Sequence, residues 1–231
     1  MQEDGFEFTM VTDSLADALG LKFPRRAMGI LSGPNGGGKS LISQRLVFGF
    51  IGNGHKVLVI TTELTTRGWI EQMDSIGYGM TDALDDGQLL VLSRFGSIAQ
   101  TDPTVGIEEV LASPAIEHAE IIVIDSASSI IPKHLSAAAQ FDLLNKIRGI
   151  ASDDKLVLLT LDGEDMVPEY FHMMRSSAEV VIDLSSEIIG GALKRQLLVT
   201  RFLRAAGPLQ STVGWRVEPG MGFIVDITAV S

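Results

Sequence analysis

A glycine-rich segment between two apolar runs places the first requirement on the fold. Residues 33–40 read Gly-Pro-Asn-Gly-Gly-Gly-Lys-Ser, a pattern in which successive backbone N–H groups enclose phosphate groups. The apolar run over 27–32 is typical of a buried strand, and apolar residues recur at helical spacing over 41–50. The sequence therefore predicts a strand, a phosphate-binding loop and a helix in direct succession, and the agreement of both flanks disfavours a chance match.

Each residue type in this loop has a physical role. The three central glycines lack a Cβ, so the backbone can reach positive φ and approach the phosphates closely. Lys39 can place its ammonium on the β and γ phosphates, and the hydroxyl of Ser40 can bind Mg²⁺. The predicted ligands are a nucleoside triphosphate and magnesium. The predicted nucleotide contacts in this segment are Gly33, Pro34, Asn35, Gly36, Gly37, Gly38, Lys39, Ser40 and Leu41.

Composition limits the remaining possibilities. At 231 residues the chain can bury a large core, and a single domain over 1–231 is expected. The formal net charge of −11 argues against a broad nucleic-acid surface, and the absence of cysteine excludes disulfides and thiolate metal sites. No apolar run approaches the roughly twenty residues that span a bilayer, and the first residues are acidic where a secretory signal is basic. A soluble, cytoplasmic protein is expected.

A second strand end predicts the metal ligand. Residues 121–124 are four branched apolar residues followed by Asp125, which indicates a wholly buried strand that delivers a carboxylate to the magnesium shell. A further buried strand over 155–161 carries Thr160 at its end, and Thr160 and Asp125 complete the predicted nucleotide-contacting set. The predicted metal ligands are Ser40 and Asp125.

The predicted elements change character along the chain. Up to about residue 178 strands alternate with helices, whereas beyond Glu179 strands follow one another through short turns. The predicted fold class is therefore α/β, with a mostly parallel central sheet flanked by helices and an antiparallel C-terminal extension. The remaining predictions are helices at 15–19, 67–78, 105–118, 135–151 and partly 164–177, a basic turn at 22–26, a loop at 96–104, and strands at 56–63, 88–93, 179–184, 195–202, 212–217 and 223–227.

Together these features resemble the RecA/KaiC-like ATPases. Within that class the loop, the stretch over 61–73 and the closing segment over 216–222 look like the FlaH (ArlH) family of archaellum motor accessory ATPases. The run Thr-Glu-Leu-Thr-Thr inside 61–73 is the most specific part, and the resemblance extends from about Met28 onwards. Residues 20–24 depart from it, because they read Gly-Leu-Lys-Phe-Pro where the family carries a Gly-Gly-Ile-Pro-like turn.

The resemblance implies several properties that the residue patterns alone do not indicate. It implies a RecA-like fold that binds ATP with Mg²⁺ and hydrolyses it slowly or not at all. It also implies a hexameric ring that docks on the motor ATPase FlaI beneath the membrane platform FlaJ. The chain would then be cytoplasmic and peripheral to the inner face of the membrane, with no nucleic-acid partner and no membrane insertion of its own.

Three further residues receive roles from the resemblance. Glu63 stands where RecA-like enzymes carry the carboxylate that orients the attacking water, although an acid at a strand end can equally face solvent. Arg201 and Arg204 resemble the basic residues that KaiC-like rings direct to the γ-phosphate of the neighbouring subunit. Such arginines can equally pair with acidic side chains on the surface, so both interpretations stay open.

Two other functions remain as alternatives. A RecA/RadA-like DNA-dependent ATPase would bind single strands in a salt-dependent way and be stimulated by them. The acidic balance and the scarcity of aromatic residues among basic ones argue against it. A KaiC-like autokinase would place phosphate on its own Ser or Thr residues.

Overall fold

A computed structural model describes residues 5–95 and 106–226. Its strands follow the order along the chain β1 Gly5–Glu7, β2 Lys22–Pro24, β3 Ala27–Ser32, β4 Val57–Thr61, β5 Leu89–Ser93, β6 Ile121–Asp125, β7 Leu156–Leu161, β8 Val180–Ile189, β9 Ala192–Phe202, β10 Thr212–Glu218 and β11 Gly222–Val225. The helices are α1 Leu15–Ala18, α2 Lys39–Gly52, α3 Thr66–Ser75, α4 Thr81–Asp85, α5 Ile107–Leu111, α6 Ala115–His118, α7 Ala137–Ser152 and α8 Pro168–Ser177, with a 3₁₀ turn at Gly163–Asp165.

One sheet of nine strands positions the predicted site. Its order is β11-β10-β9-β8-β3-β7-β6-β4-β5, and the strands from β8 to β5 run parallel to one another. Strands β9, β10 and β11 continue the same sheet in antiparallel fashion. The predicted parallel core with an antiparallel C-terminal extension is therefore confirmed. Because the four central strands β3, β7, β6 and β4 are buried throughout, they read as continuous apolar runs.

Helices cover both faces of the sheet, and each face has its own core. Helices α2 and α3 pack on one face, which we call the α2 face, and α5, α7 and α8 pack on the other. The α2-face core includes Leu31, Ile42, Leu46, Phe50, Val59, Trp69, Leu184, Leu197 and Trp215. The opposite core includes Ile30, Ile60, Ile124, Leu143, Ile147, Leu159 and Met174. None of the helices within residues 5–95 and 106–226 is long and apolar enough to cross a bilayer.

The N-terminal segment differs from the prediction. Helix α1 ends at Ala18, close to the expected 15–19, but part of the predicted basic turn at 22–26 is the strand β2. Strand β2 pairs antiparallel with β1, and Phe6 lies opposite Phe23. The Phe23 ring contacts Phe8 and Phe50 at centroid distances of 5.1 and 5.6 Å. Burial of these rings stabilises an antiparallel pair whose strands are too short to show a period of their own.

The bounds of other strands and helices also differ from the prediction. Strand β8 continues to Ile189 and β9 begins at Ala192, so both strands are longer than predicted. Their turn is Gly190-Gly191, with φ of +60° and +82°, which fits the two-residue turn that favours hairpins. The predicted helix over 105–118 is two short helices, α5 and α6, interrupted before Pro114. The predicted loop at 96–104, the first residue of that helix and Ile227 lie outside the described residues.

Candidate nucleotide site

The backbone of the glycine-rich loop is set by two different constraints. Gly36 and Gly38 have φ of +74° and +94°, in the region that residues with a Cβ rarely enter. A Cβ on Gly38 would also lie 2.3 Å from Cη2 of Trp215, whereas one on Gly36 would meet nothing within 4 Å. At the first position, a Cβ on Gly33 would lie 2.6 Å from the carbonyl oxygen of Leu184. The loop therefore lies directly on β8 and β10.

Lys39 begins α2 and holds its ammonium at the mouth of the loop. Its Nζ donates to the carbonyl oxygens of Gly33 and Pro34 at 2.6 and 3.0 Å. It also pairs with Oδ2 of Asp162 at 3.3 Å, and both side chains are only 10% exposed. Because α2 has 14 residues, its free N-terminal N–H groups and positive dipole end add to this charge. The arrangement is suited to a polyanion.

Asp125 accepts hydrogen bonds from three hydroxyl groups, two on α2 and one on β7. This buried carboxylate accepts hydrogen bonds from Ser40 Oγ at 3.2 Å, Ser43 Oγ at 3.0 Å and Thr160 Oγ1 at 2.6 Å. The structure thus brings together the predicted residues Ser40, Asp125 and Thr160. The structure also adds Ser43 to this group. Ser43 lies one helical turn after Ser40, and this three-residue spacing was the sequence signal that could have indicated it.

The donor set around Asp125 fits magnesium. Carboxylate and hydroxyl oxygens are hard ligands of the kind that Mg²⁺ prefers. Among the described residues, no three His, Cys, Asp or Glu side chains form a cluster able to hold a metal alone. The residues therefore fit an ion that completes its shell with water and phosphate oxygens rather than with further protein ligands.

Glu63 lies two residues beyond the end of β4 and is exposed. Partial burial of its carboxyl group raises its pKa above the usual value, and the carboxylate of Asp125 raises it further, whereas the ammonium of Lys39 opposes both. The preceding residue is firmly fixed, because Thr62 Oγ1 donates to the carbonyl oxygen of Ser126 at 2.9 Å and accepts from the Ser126 N–H at 2.8 Å. The backbone just before Glu63 is thus anchored to the end of β6 that carries Asp125.

Arg201 and Arg204 lie away from this site. Arg201 Nη1 donates to the carbonyl oxygens of Ser176 and Ala178 at 2.7 and 3.1 Å, and Arg204 Nη2 donates to that of Arg26 at 3.1 Å. These contacts are at the end of the sheet where β3 begins, opposite the glycine-rich loop. Neither arginine reaches the site of its own chain, and a role at a neighbour's site stays a prediction.

Two side chains of the antiparallel extension belong to the surroundings of the site and were missed. Trp215 on β10 lies against Gly38 and stacks on Phe223 with ring centroids 5.7 Å apart. The guanidinium of Arg195, its cross-strand neighbour, lies 5.6 Å from the Trp215 ring centroid. The sequence showed them only as members of two separate strands. The pairing of Asp162 with Lys39 was not predicted either.

An ionic group fixes the strand that leads into the loop. Arg175 on α8 pairs with Asp183 on β8, with Nη2 to Oδ2 at 2.8 Å, and Ser32 and Thr200 donate to the same carboxylate. Burial alone would raise the pKa of Asp183, but the hydrogen bonds from Arg175, Ser32 and Thr200 outweigh it, so the pKa lies below its usual value. Ser32 is the last residue of β3, so these contacts position the start of the loop.

Comparisons with known proteins give consistent results. The family model described as "ATPase: KaiC" matches residues 11–208. A curated relative from Methanococcus voltae, named archaeal flagellar ATP-binding protein FlaH, is 30% identical over 202 residues, which are 87% of this chain and 88% of the relative. A relative of the same name from Methanocaldococcus jannaschii is 29% identical over 95% of this chain and 94% of its own length. The crystal structure of flagellar accessory protein FlaH from M. jannaschii superimposes with a TM-score of 0.89 at 27% identity, covering 97% of this chain and 100% of that one.

Proposed function

This chain belongs to the KaiC-like ATPases and, within them, to the FlaH family, and from that membership we propose that it is the ATP-binding regulatory component of the archaellum motor. The names of its relatives support an archaellum-associated, ATP-binding role. In this proposal residues 1–231 form a single ATP-binding domain.

The observation that carries the proposal is the group of hydroxyls on Asp125 at the start of α2. Lys39 and the first N–H groups of α2 bind the phosphates, while Ser40 and Asp125 would hold Mg²⁺. Bound magnesium would supply neutralising charge on the β and γ phosphates. Thr160 and Ser43 orient the Asp125 carboxylate by donating to it.

We infer that hydrolysis is slow or absent. Glu63 is the carboxylate to which the resemblance assigns the orientation of the attacking water, and it is preceded by Thr62 rather than by a second acid. Phosphoryl transfer also depends on charge supplied from outside the loop. Since Arg201 and Arg204 lie at the far end of the sheet, they could supply that charge only to another copy.

ATP binding then acts as a signal for assembly. In the proposal, the nucleotide favours one conformation of the loop, of the residues around Glu63 and of the subunit edge, and this sets ring formation and docking on the motor ATPase FlaI beneath the platform FlaJ. A ligand shifts an equilibrium only by its differential affinity for the two states, so binding and docking must be linked reciprocally.

The test uses Lys39→Ala with Lys56→Ala as the matched control, because Lys56 is exposed and lies at the start of β4, at the far end of the sheet from the loop. Calorimetry measures ATP binding in the presence of Mg²⁺, and a pull-down measures docking on FlaI. We expect Lys39→Ala to lose ATP binding by at least about a hundredfold, since a charge-assisted phosphate contact is removed, and to lose docking with it. Lys56→Ala should behave as the wild type.

Normal docking by the Lys39→Ala protein would overturn the regulatory proposal. In the same experiment, Glu63→Gln should bind ATP normally and remove whatever turnover the wild type has. Fast turnover in the wild type would contradict the inference of slow hydrolysis. Turnover stimulated by single-stranded DNA, or labelled phosphate on Ser or Thr after incubation with labelled ATP, would instead indicate one of the two alternative functions.

A further inference from the structure

The polarity of the site fixes the direction in which a nucleotide lies. The acids expected beside the terminal phosphates are Asp125, the last residue of β6, and Glu63, just beyond β4, and both strands lie on one side of β3. Strands β8, β9 and β10 lie on the other side of β3. A triphosphate that ends near Glu63 and passes over the first turn of α2 therefore extends its nucleoside across the ends of β8, β9 and β10.

At that position β8 and β9 extend beyond the rest of the sheet as a two-stranded arm. Strand β8 pairs with β3 only as far as Asp183, and β9 pairs with β10 only from Arg195 onwards. Residues 187–194, which we call the β8–β9 arm, thus pair only with each other among the described strands. Because Leu184 lies against Gly33, the arm begins three residues beyond the level of the first residue of the phosphate loop.

The arm presents two exposed apolar side chains toward the α2 face. Side chains alternate along a strand, so Ile188 shares the face of Leu184, which belongs to the α2-face core. Its cross-strand partner is Leu193, and Arg195 follows on the same face. Ile188 is 77% exposed and Leu193 is 49% exposed. An adjacent apolar pair on the same face as the loop, Arg195 and Trp215 is available to a ligand that lies on that face.

We propose that Ile188 and Leu193 form the surface on which the base of the bound nucleotide packs. This inference rests on the proposed ATP-binding function and adds the residues that hold the nucleoside half of the ligand. A base has a flat, weakly hydrated face that gains free energy by covering aliphatic groups, while its edge stays in water. The phosphates are held by the loop alone, so the arm contributes to binding only when a nucleoside is attached.

The test separates the two halves of the ligand. Calorimetry would measure the binding of ATP and of inorganic tripolyphosphate, both with Mg²⁺, to the wild type and to Ile188→Ser/Leu193→Ser. Leu198→Ser is the matched control, because Leu198 is 47% exposed on the same strand but points to the opposite face. All three side chains are exposed, so little loss of stability is expected.

We expect the double variant to bind ATP about tenfold more weakly, a loss of the size given by removing two aliphatic contacts, and to bind tripolyphosphate as the wild type does. Ile188→Phe should tighten ATP binding without changing tripolyphosphate binding, because it enlarges the surface. Unchanged ATP binding by the double variant, or an equal loss for both ligands, would overturn the inference. A wild type that binds neither ligand would instead refute the proposed function on which it rests.

Discussion

Gly38→Ala tests how the phosphate loop is supported. The φ of Gly38 is +94°, and a Cβ there would lie 2.3 Å from Cη2 of Trp215. An alanine in this left-handed region costs about 1–2 kcal/mol through contact with its own backbone. Relief of the clash with a fully buried indole adds about 1–3 kcal/mol, the usual cost of overpacking. We therefore expect Gly38→Ala to lower the free energy of unfolding by about 2–5 kcal/mol.

Gly36→Ala supplies the matched control two residues earlier. Its φ of +74° carries a similar backbone cost, but nothing lies within 4 Å of the added Cβ. The expected loss is therefore only about 1–2 kcal/mol. The difference between the two variants isolates the contact with Trp215. Urea unfolding followed by far-UV circular dichroism measures both, provided that the slope m stays constant.

A double-mutant cycle completes the argument. Trp215→Leu shortens the side chain beneath Gly38, so adding Gly38→Ala in that background should cost no more than Gly36→Ala does in the wild type. Equal losses for Gly36→Ala and Gly38→Ala would refute the reasoning. A loss from Gly38→Ala that persists unchanged with Leu at position 215 would refute it as well, because the cost would then be entirely one of backbone conformation.

Two other predictions concern charge in the N-terminal part. Asp13→Asn should lower the free energy of thermal unfolding by about 3–5 kcal/mol, because it leaves the guanidinium of Arg45 buried without the carboxylate that it contacts twice at 2.7 Å. Glu71→Gln, in an exposed pair, should cost under about 0.5 kcal/mol. Burial lowers the pKa of His55, which accepts from the Glu7 N–H, so the folded state binds fewer protons than the unfolded one. Stability should be complete above the unfolded pKa of about 6.5 and fall as the pH drops from there toward the lowered pKa. His55→Gln should abolish this slope between pH 7.5 and 5.5 in urea titrations, and a slope kept by that variant would assign it to other groups.

The parts that the sequence predicted well are those where one local pattern carries the information. The glycine-rich loop has its own residue pattern, and the strands ending in Ser32 and Asp125 are buried on both faces, so they read as uninterrupted apolar runs. Asp125 and Ser40 could then be brought together by topology alone, because the carboxyl ends of parallel strands share one edge of the sheet.

The N-terminal strand pair β1–β2 could not be predicted by the same means. Strands β1 and β2 have three residues each, which is less than two periods of a strand pattern. They form because Phe6 and Phe23 pair and Phe23 packs on Phe50, a residue of α2. That contact belongs to tertiary packing and leaves no trace in the local order of residues. Helix propensity around Leu15 was therefore visible, whereas the strands on either side of it were not.

The support beneath the loop has the same origin and a further consequence. Trp215 is distant from Gly38 in the sequence, and only the strand order β10-β9-β8-β3 brings the antiparallel extension under the phosphate loop. Gly38 therefore allows the loop both to contact the C-terminal strands and to approach the phosphates closely. The Trp215 ring on β10 contacts the guanidinium of Arg195 on β9 and stacks on Phe223 on β11. Because these side chains are closely packed, we expect a movement of the loop at Gly38 to displace them together. A change of the loop that moves Gly38 is therefore expected to shift the Trp215 ring and its neighbours in the antiparallel extension.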